Sequence, residues 1–177
     1  MLITGQRSLS TVLRIILDFC LLINILALIA LPWLLTALYK QPDLLAQLNP
    51  QPAQSVPDSR IDNEYPVDLP PSSYPFYLGF LYFSGFGTAW ILLEGHLILR
   101  RLEKNEPFAA GQAGSFRRIA GAFALLTVTF AVKIVAYNTL LTLFCGCVFL
   151  LLALIALILS EVFRQAYAVK SENELTI

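Results

Sequence analysis

Residues 119–159 read IAGAFALLTVTFAVKIVAYNTLLTLFCGCVFLLLALIALIL, and Lys133 is their only charged residue. Asn138 and Thr139 divide this stretch into two apolar runs of about 20 residues each, the length at which an α-helix crosses the ~30 Å hydrocarbon layer of a bilayer. Because the joint is so short, the two helices must be antiparallel neighbours. The sequence therefore predicts a transmembrane helical hairpin.

Two further apolar runs precede this hairpin, so we predict four transmembrane helices. Charged residues make up 14% of the chain, whereas they make up about a quarter of soluble domains. Pro32 lies inside the first run and is expected to bend that helix or end it early. The predicted fold is all-α, a four-helix membrane bundle forming one domain over residues 1–177, with helices over about 12–35, 76–99, 119–137 and 140–159.

Lys and Arg residues are concentrated on one side of the predicted helices. Since the cytoplasmic side of a membrane protein keeps the excess of these residues, we predict an inner-membrane protein with both termini in the cytoplasm. This orientation gives an outer loop over 41–75, an inner basic loop over 100–118 and a cytoplasmic tail over 160–177. The predicted outer ends carry aromatic residues suited to headgroup level, namely Trp33, Tyr39, Tyr74, Phe76, Tyr77 and Tyr137.

The predicted outer loop is rich in proline and in acids. It contains eight of the ten prolines and five acidic residues against the single base Arg60. Proline fixes φ and removes a backbone donor, so this loop is expected to be extended or irregular. It is either a solvated connector or a periplasmic contact surface.

Two carboxylates, Asp18 and Glu94, lie about five residues inside the predicted cytoplasmic ends of helices one and two. A carboxylate at that depth suggests a proton or cation relay, because its burial is costly unless it is paired. The structural alternative is an ion pair, with Arg14 four residues before Asp18 and a cluster of arginines within reach of Glu94. The candidate polar network comprises Arg14, Asp18, Glu94, Arg101, Arg117 and Glu161.

Other reactive side chains give little support for catalysis. His96 is the only histidine, which argues against a multi-histidine metal site, and a polar residue at headgroup level is the simpler reading. Cys20, Cys145 and Cys147 lie in apolar runs, where thiol reactivity is suppressed. No nucleotide-binding, zinc-binding or nucleophile motif occurs. We therefore predict no enzyme, no cofactor, no metal and no direct nucleic-acid binding.

Small residues recur at helical spacing in the second and third helices. In lipid, such residues let helices approach closely. They indicate either packing within the bundle or the contact face of a homo-oligomer. The residues are Ser84, Gly87, Thr88 and Gly95, followed by Ala120 and Ala124.

Four short segments carry a resemblance: RLEKNEPF at 101–108, FRRI at 116–119, EVFR at 161–164 and ENELTI at 172–177. Together they resemble an uncharacterised bacterial family of four-helix inner-membrane proteins, domain of unknown function 2975, over about residues 74–177. Asn105 and Glu174 depart from the glycine and aspartate usual in that family. Many members are encoded beside a helix-turn-helix regulator, so the resemblance implies a signalling or sequestering role with such a regulator as partner.

The end of the tail forms a candidate partner-binding peptide. Acidic and apolar residues alternate there, and grooves or backbone nests can capture such a segment. Alternatively, the tail folds back onto Phe108 and the basic loop of its own chain. We predict a non-enzymatic regulatory or partner-binding protein, with a small transporter using Asp18 and Glu94 as the alternative. The candidate tail residues are Glu174, Leu175, Thr176 and Ile177.

Overall fold

The computed structural model describes residues 9–40, 71–104, 106, 108–109, 111–137 and 139–174. Within these ranges the chain forms four α-helices, one 3₁₀ turn over Pro71–Ser73 and no strand. The helices are α1 (Leu9–Lys40), α2 (Tyr74–Glu103), α3 (Gly111–Ala136) and α4 (Leu140–Glu174). The predicted all-α four-helix fold is confirmed. Residues 41–70 of the predicted outer loop, and Leu175, Thr176 and Ile177, lie outside the described residues.

All four helices are longer than the apolar runs that predicted them. α2 and α3 extend so far toward each other that only residues 104–110 connect them, where the sequence indicated a basic loop over 100–118. α4 continues 15 residues past position 159. An apolar run measures only the part of a helix that lies in hydrocarbon, whereas backbone hydrogen bonding continues into the headgroup region and beyond.

α1 continues through Pro32 to Lys40. Proline removes one backbone hydrogen bond from a helix, but transmembrane helices tolerate this loss where neighbouring groups compensate. The carbonyl that Pro32 deprives of a donor is that of Leu28, four residues earlier. Thr36 lies one turn after Pro32, and its hydroxyl donates to the Pro32 carbonyl at 2.6 Å. Because α1 runs on to Lys40, the expected early end at Pro32 is not observed.

Extensive contacts join only helices that are consecutive in the described chain: α1 with α2, α2 with α3, and α3 with α4. Small residues sit at the contacts, where they allow close approach of the backbones. Gly87 of α2 packs against Leu126 of α3, and an added Cβ at Gly87 would lie 2.8 Å from Leu126 Cδ2. The α3–α4 contact is built around Ala120 and Ala156.

Large apolar side chains cover the outside of the bundle. Trp33, Val135 and Leu140 are each more than 80% exposed, and a soluble monomer rarely exposes apolar patches of this extent. Each of the four helices is long and apolar enough to cross a membrane. These are the helices of a multi-pass membrane protein.

Candidate functional site

Glu94 of α2 and Arg118 of α3 form a two-point ion pair between their helices. Arg118 donates from Nε to one carboxylate oxygen of Glu94 and from Nη2 to the other, the second bond being 3.0 Å long. The Glu94 side chain is only 9% exposed, while that of Arg118 is 48% exposed. Bidentate arginine–carboxylate pairs are among the stronger hydrogen-bonded contacts in proteins, so this pair fixes α2 against α3.

Ser115 connects this ion pair to Arg101. The Ser115 hydroxyl accepts from Arg101 Nη1 at 2.8 Å and from Arg118 Nη2 at 3.3 Å. Arg101 also donates to the Gly111 carbonyl at 3.0 Å and to Gln112 Oε1 at 3.4 Å. Ser115 and Gln112 are fully buried. Together these groups form a continuous polar network around the start of α3.

The sequence did not mark Gln112 or Ser115 as site residues, and it indicated Arg118 only as one of the arginines within reach of Glu94. All three lie three residues apart on α3, and Glu94 and Arg101 lie seven apart on α2. Both spacings place residues on one face of a helix. That periodicity was a usable signal, but it became visible only once α3 was known to begin at Gly111.

α1 joins α2 through two further polar contacts. Arg14 donates to Glu103, and Asp18 is hydrogen-bonded to His96 Nδ1. The sequence suggested Arg14 as the partner of Asp18, but each of the two bonds a residue of α2 instead. The Asp18 and His96 side chains are 46% and 30% exposed. The lone histidine is therefore the partner of one of the two candidate carboxylates.

The remaining candidate residues stand apart from these contacts. Glu161 bonds Arg164 and Gln165 on its own helix, α4. Arg117 is exposed and forms none of the ion pairs found among the described residues. We call the region that holds the ion pairs the charged end of the bundle, defined by Arg14, Asp18, Glu94, Arg101 and Arg118.

Three phenylalanines link the α2–α3 connection to α4. Phe163 stacks on Phe116 with ring centroids 4.9 Å apart and lies 6.1 Å from Phe108. Phe108 thus contacts the part of α4 that follows position 159. The helix continues to Glu174, so the described part of the tail does not turn back toward Phe108.

The opposite end of the bundle carries aromatic contacts. Tyr39 of α1 meets Tyr74 edge to face at 5.4 Å, and its hydroxyl shares a 2.7 Å hydrogen bond with the buried Ser73. Tyr137 stacks on Tyr77 at 5.3 Å and lies 5.2 Å from Phe76. We call this region the aromatic end, defined by Tyr39, Tyr74, Phe76, Tyr77 and Tyr137.

The three cysteines form no disulfide with one another. Cys20 and Cys147 are exposed on the apolar surface, and Cys145 is partly buried. Among the described residues, no group of three or more His, Cys, Asp or Glu side chains could hold a metal ion. Among the described residues, the charged side chains that lie close together are those of the charged end.

A family model described as "Protein of unknown function (DUF2975)" matches residues 61–177, more than half of the chain. The chain belongs to the DUF2975 family. The match confirms the resemblance noted in the sequence and contains Glu94, Arg101, Ser115 and Arg118, whereas α1 lies before it. No curated protein and no solved structure matches this DUF2975 member.

The geometry of the charged end favours positioning of helices over chemistry. Glu94 already accepts two bonds from Arg118, and Asp18 already bonds His96. Ion pairs in a medium of low dielectric constant are strong and directional. The site therefore fixes α2 against α3 and adds polar contacts between α1 and α2 at this end of the bundle.

Proposed function

We propose that the protein is a non-enzymatic inner-membrane protein that holds a cytoplasmic partner through the far part of α4, the tail and the α2–α3 connection. The observation that carries this proposal is the length of α4. Its 35 residues give a helix of about 52 Å, whereas the hydrocarbon layer is ~30 Å thick. About 22 Å of α4, roughly two fifths of its length, is therefore available outside the hydrocarbon layer.

The distribution of charge supports an orientation with the charged end in the cytoplasm. Among the described residues, Lys40 and Lys133 are the bases near the aromatic end, and Arg60 of the predicted outer loop lies outside those residues. The positive-inside rule assigns the more basic side to the cytoplasm. Basic residues near the charged end or on the far part of α4 are Arg14, Arg100, Arg101, Lys104, Arg117, Arg118, Arg164 and Lys170.

The far part of α4 presents an apolar strip suited to a protein partner. Val162 and Val169 are seven residues apart, hence on one helix face, and both are more than half exposed. Amphipathic helices bind protein grooves through such spaced anchors. Phe163, through Phe108 and Phe116, joins this helix to the α2–α3 connection, so both elements form one surface. Because many members of the resembling family are encoded beside a helix-turn-helix regulator, a regulator of that kind is the first partner to test.

The test is capture of that regulator by the full-length protein in detergent-solubilised membranes. Deleting 172–177, which removes Glu174, Leu175, Thr176 and Ile177, should abolish capture while insertion is retained. Replacing Val162 and Val169 by Gln should weaken it, whereas the control Ala168→Gln, on another face of α4, should not. Capture that is unchanged by both the deletion and the double substitution contradicts the proposal.

A second candidate function, conduction of protons or cations, is favoured by one observation at the α1–α2 contact. Asn24 Oδ1 and Ser84 Oγ are buried there without a hydrogen-bond partner among the described residues. Asn24 lies on α1 between Asp18, which bonds His96, and Leu28, which contacts Gly85. Ordered water commonly satisfies such buried groups, and a polar track from Asp18 into the bilayer would then exist.

In this conduction hypothesis Glu94 is the second carboxylate of the relay after Asp18, although Glu94 already pairs with Arg118. Cation or proton flux into proteoliposomes measures the activity. Flux should be lost in Asp18→Asn and in Asn24→Leu and reduced in Glu94→Gln. Absence of flux in the unaltered protein, or flux that survives all three substitutions, removes the candidate.

A further inference from the structure

A groove of about 390 Å³ lies between α2 and α3 near the aromatic end. Its walls are one stripe of each helix, since the lining positions recur at intervals of three to four residues. The groove is open at the side, and Phe83, Val128 and Val132 are each more than half exposed. The lining residues are Pro75, Phe76, Gly79, Phe80, Phe83, Leu125, Val128, Thr129 and Val132.

The walls of the groove are apolar along its whole length. Thr129 is the only lining residue with a polar side chain, and its hydroxyl donates to the Leu125 carbonyl at 2.9 Å. From Pro75 to Phe83 the helix rises about 12 Å. That length is close to the ~15 Å depth of one leaflet, half of the hydrocarbon layer. The groove thus has the polarity and length of one acyl chain.

Gly79 leaves the space open. An added Cβ at Gly79 would meet no atom within 4 Å, whereas one at Gly87, two turns further along α2, would lie 2.8 Å from Leu126 Cδ2. Gly87 therefore serves contact between helices, and Gly79 does not. The gap at Gly79 remains unfilled by the protein and faces the lipid.

A cation lies beside this groove, over the ring of its lining residue Phe80. The Lys133 ammonium lies 4.9 Å from the centroid of the Phe80 ring, and Lys133 follows the lining residue Val132. No carboxylate of the described residues forms an ion pair with it. Lys133 is three residues from the end of α3, one turn from Tyr137. Aromatic residues of this kind mark headgroup depth, where lipid phosphates lie.

We propose that this groove binds an anionic phospholipid, with one acyl chain along Gly79 and the headgroup phosphate beside the Lys133 ammonium. An apolar channel open to the bilayer takes up a chain, and the cation at its headgroup end selects for negative charge. Attraction of a basic side chain near the surface to anionic lipid amounts to about 1 kcal/mol. The inference is independent of the partner proposed for α4.

The first test fills the groove. The full-length protein in detergent is titrated with phosphatidylglycerol and with phosphatidylcholine of the same chains, and bound lipid is counted by native mass spectrometry. Gly79→Leu should reduce retention of both lipids, because the new side chain occupies the chain site. Gly121→Leu is the matched control, since a Cβ at Gly121 also meets nothing within 4 Å and Gly121 does not line the groove.

The second test removes the charge. Lys133→Met keeps the apolar stem and should lower the affinity for phosphatidylglycerol about fivefold, equivalent to about 1 kcal/mol, with little change for phosphatidylcholine. Equal lipid retention by Gly79→Leu and Gly121→Leu overturns the proposal. A preference for phosphatidylglycerol over phosphatidylcholine that is unchanged in Lys133→Met also overturns the proposal, because the headgroup phosphate then binds elsewhere. If Gly79→Leu changes the oligomeric mass without loss of lipid, the groove binds a second copy of this chain instead, and the lipid proposal is overturned.

Discussion

The charged end and the aromatic end of the bundle join the same helices by different interactions. At the charged end, Glu94 and Arg118 pair between α2 and α3, and Asp18 and His96 pair between α1 and α2. At the aromatic end, α1 meets α2 through Tyr39 and neighbouring rings. Ion pairs require particular partners in a particular geometry, whereas stacked and edge-to-face rings allow wider variation. The charged end therefore specifies the register of α2 against α3, and the aromatic end adds adhesion at headgroup level.

Arg118→Met tests this comparison with the largest expected effect. The substitution leaves the Glu94 carboxylate, 9% exposed, without its main partner, and breaking a buried pair in this way is strongly destabilising. Because Arg118 itself is half exposed and Arg101 remains nearby, we expect a loss of about 3 kcal/mol in the free energy of unfolding. Reversible unfolding in mixed micelles of rising SDS fraction measures it.

The double variant Glu94→Leu/Arg118→Met is the control for that prediction. Replacing both members of a buried pair by apolar residues is often neutral, so the double variant should recover most of the lost stability. If it is as unstable as Arg118→Met, the ion pair is not the cause of the loss, and the charged end does not specify register as described.

Tyr39→Phe probes the aromatic end and should have an intermediate effect. The ring contact with Tyr74 is kept, while the hydroxyl bond to buried Ser73 is lost. Loss of one such bond costs about 1 kcal/mol, measured by the same unfolding experiment. Tyr39→Leu removes the ring as well and should cost more. Equal losses in the two variants would mean that the ring contributes nothing, which contradicts adhesion through aromatic contacts.

Asp18→Asn should have the smallest effect on stability. Both members of the Asp18–His96 hydrogen bond are partly exposed, and even an exposed ion pair contributes only about 0.5 kcal/mol. Unfolding should therefore be nearly unchanged, whereas conduction through the α1–α2 contact, if present, would be lost. A stability loss as large as that of Arg118→Met would show that α1 depends on this pair as strongly as α3 depends on Glu94.

The features of the fold that are determined by residues close together in the sequence could be predicted. Apolar runs indicated the four helices, and the two-residue joint at 138–139 made α3 and α4 neighbours. The register of α1 on α2 could not be predicted in this way, because the long segment 41–70 lies between these two helices in the sequence, whereas only two residues join α3 and α4. Contacts such as Leu28 with Gly85 and Leu17 with Gly95 set it instead, and they bring Asp18 to His96.

The sequence predicted that the partner of Glu94 is an arginine, but not which arginine. The sequence placed a cluster of arginines within its reach, and the chosen set contained Arg101 and Arg117, whereas Arg118 makes the bond. One residue along a helix is a rotation of about 100°. The choice between Arg117 and Arg118 therefore depends on how α3 is rotated, and that rotation is fixed by packing of Ile119 and Ala120 against α4.

The extensive contacts of the bundle all join helices that are adjacent in the chain. Each helix that leaves the translocation machinery during synthesis thus finds its packing partner already inserted, the one made immediately before it. Contacts between segments close in sequence form quickly. The order of synthesis is also an order of assembly, so that a chain interrupted after α2 already contains the helix with which α1 forms its extensive contacts among the described residues.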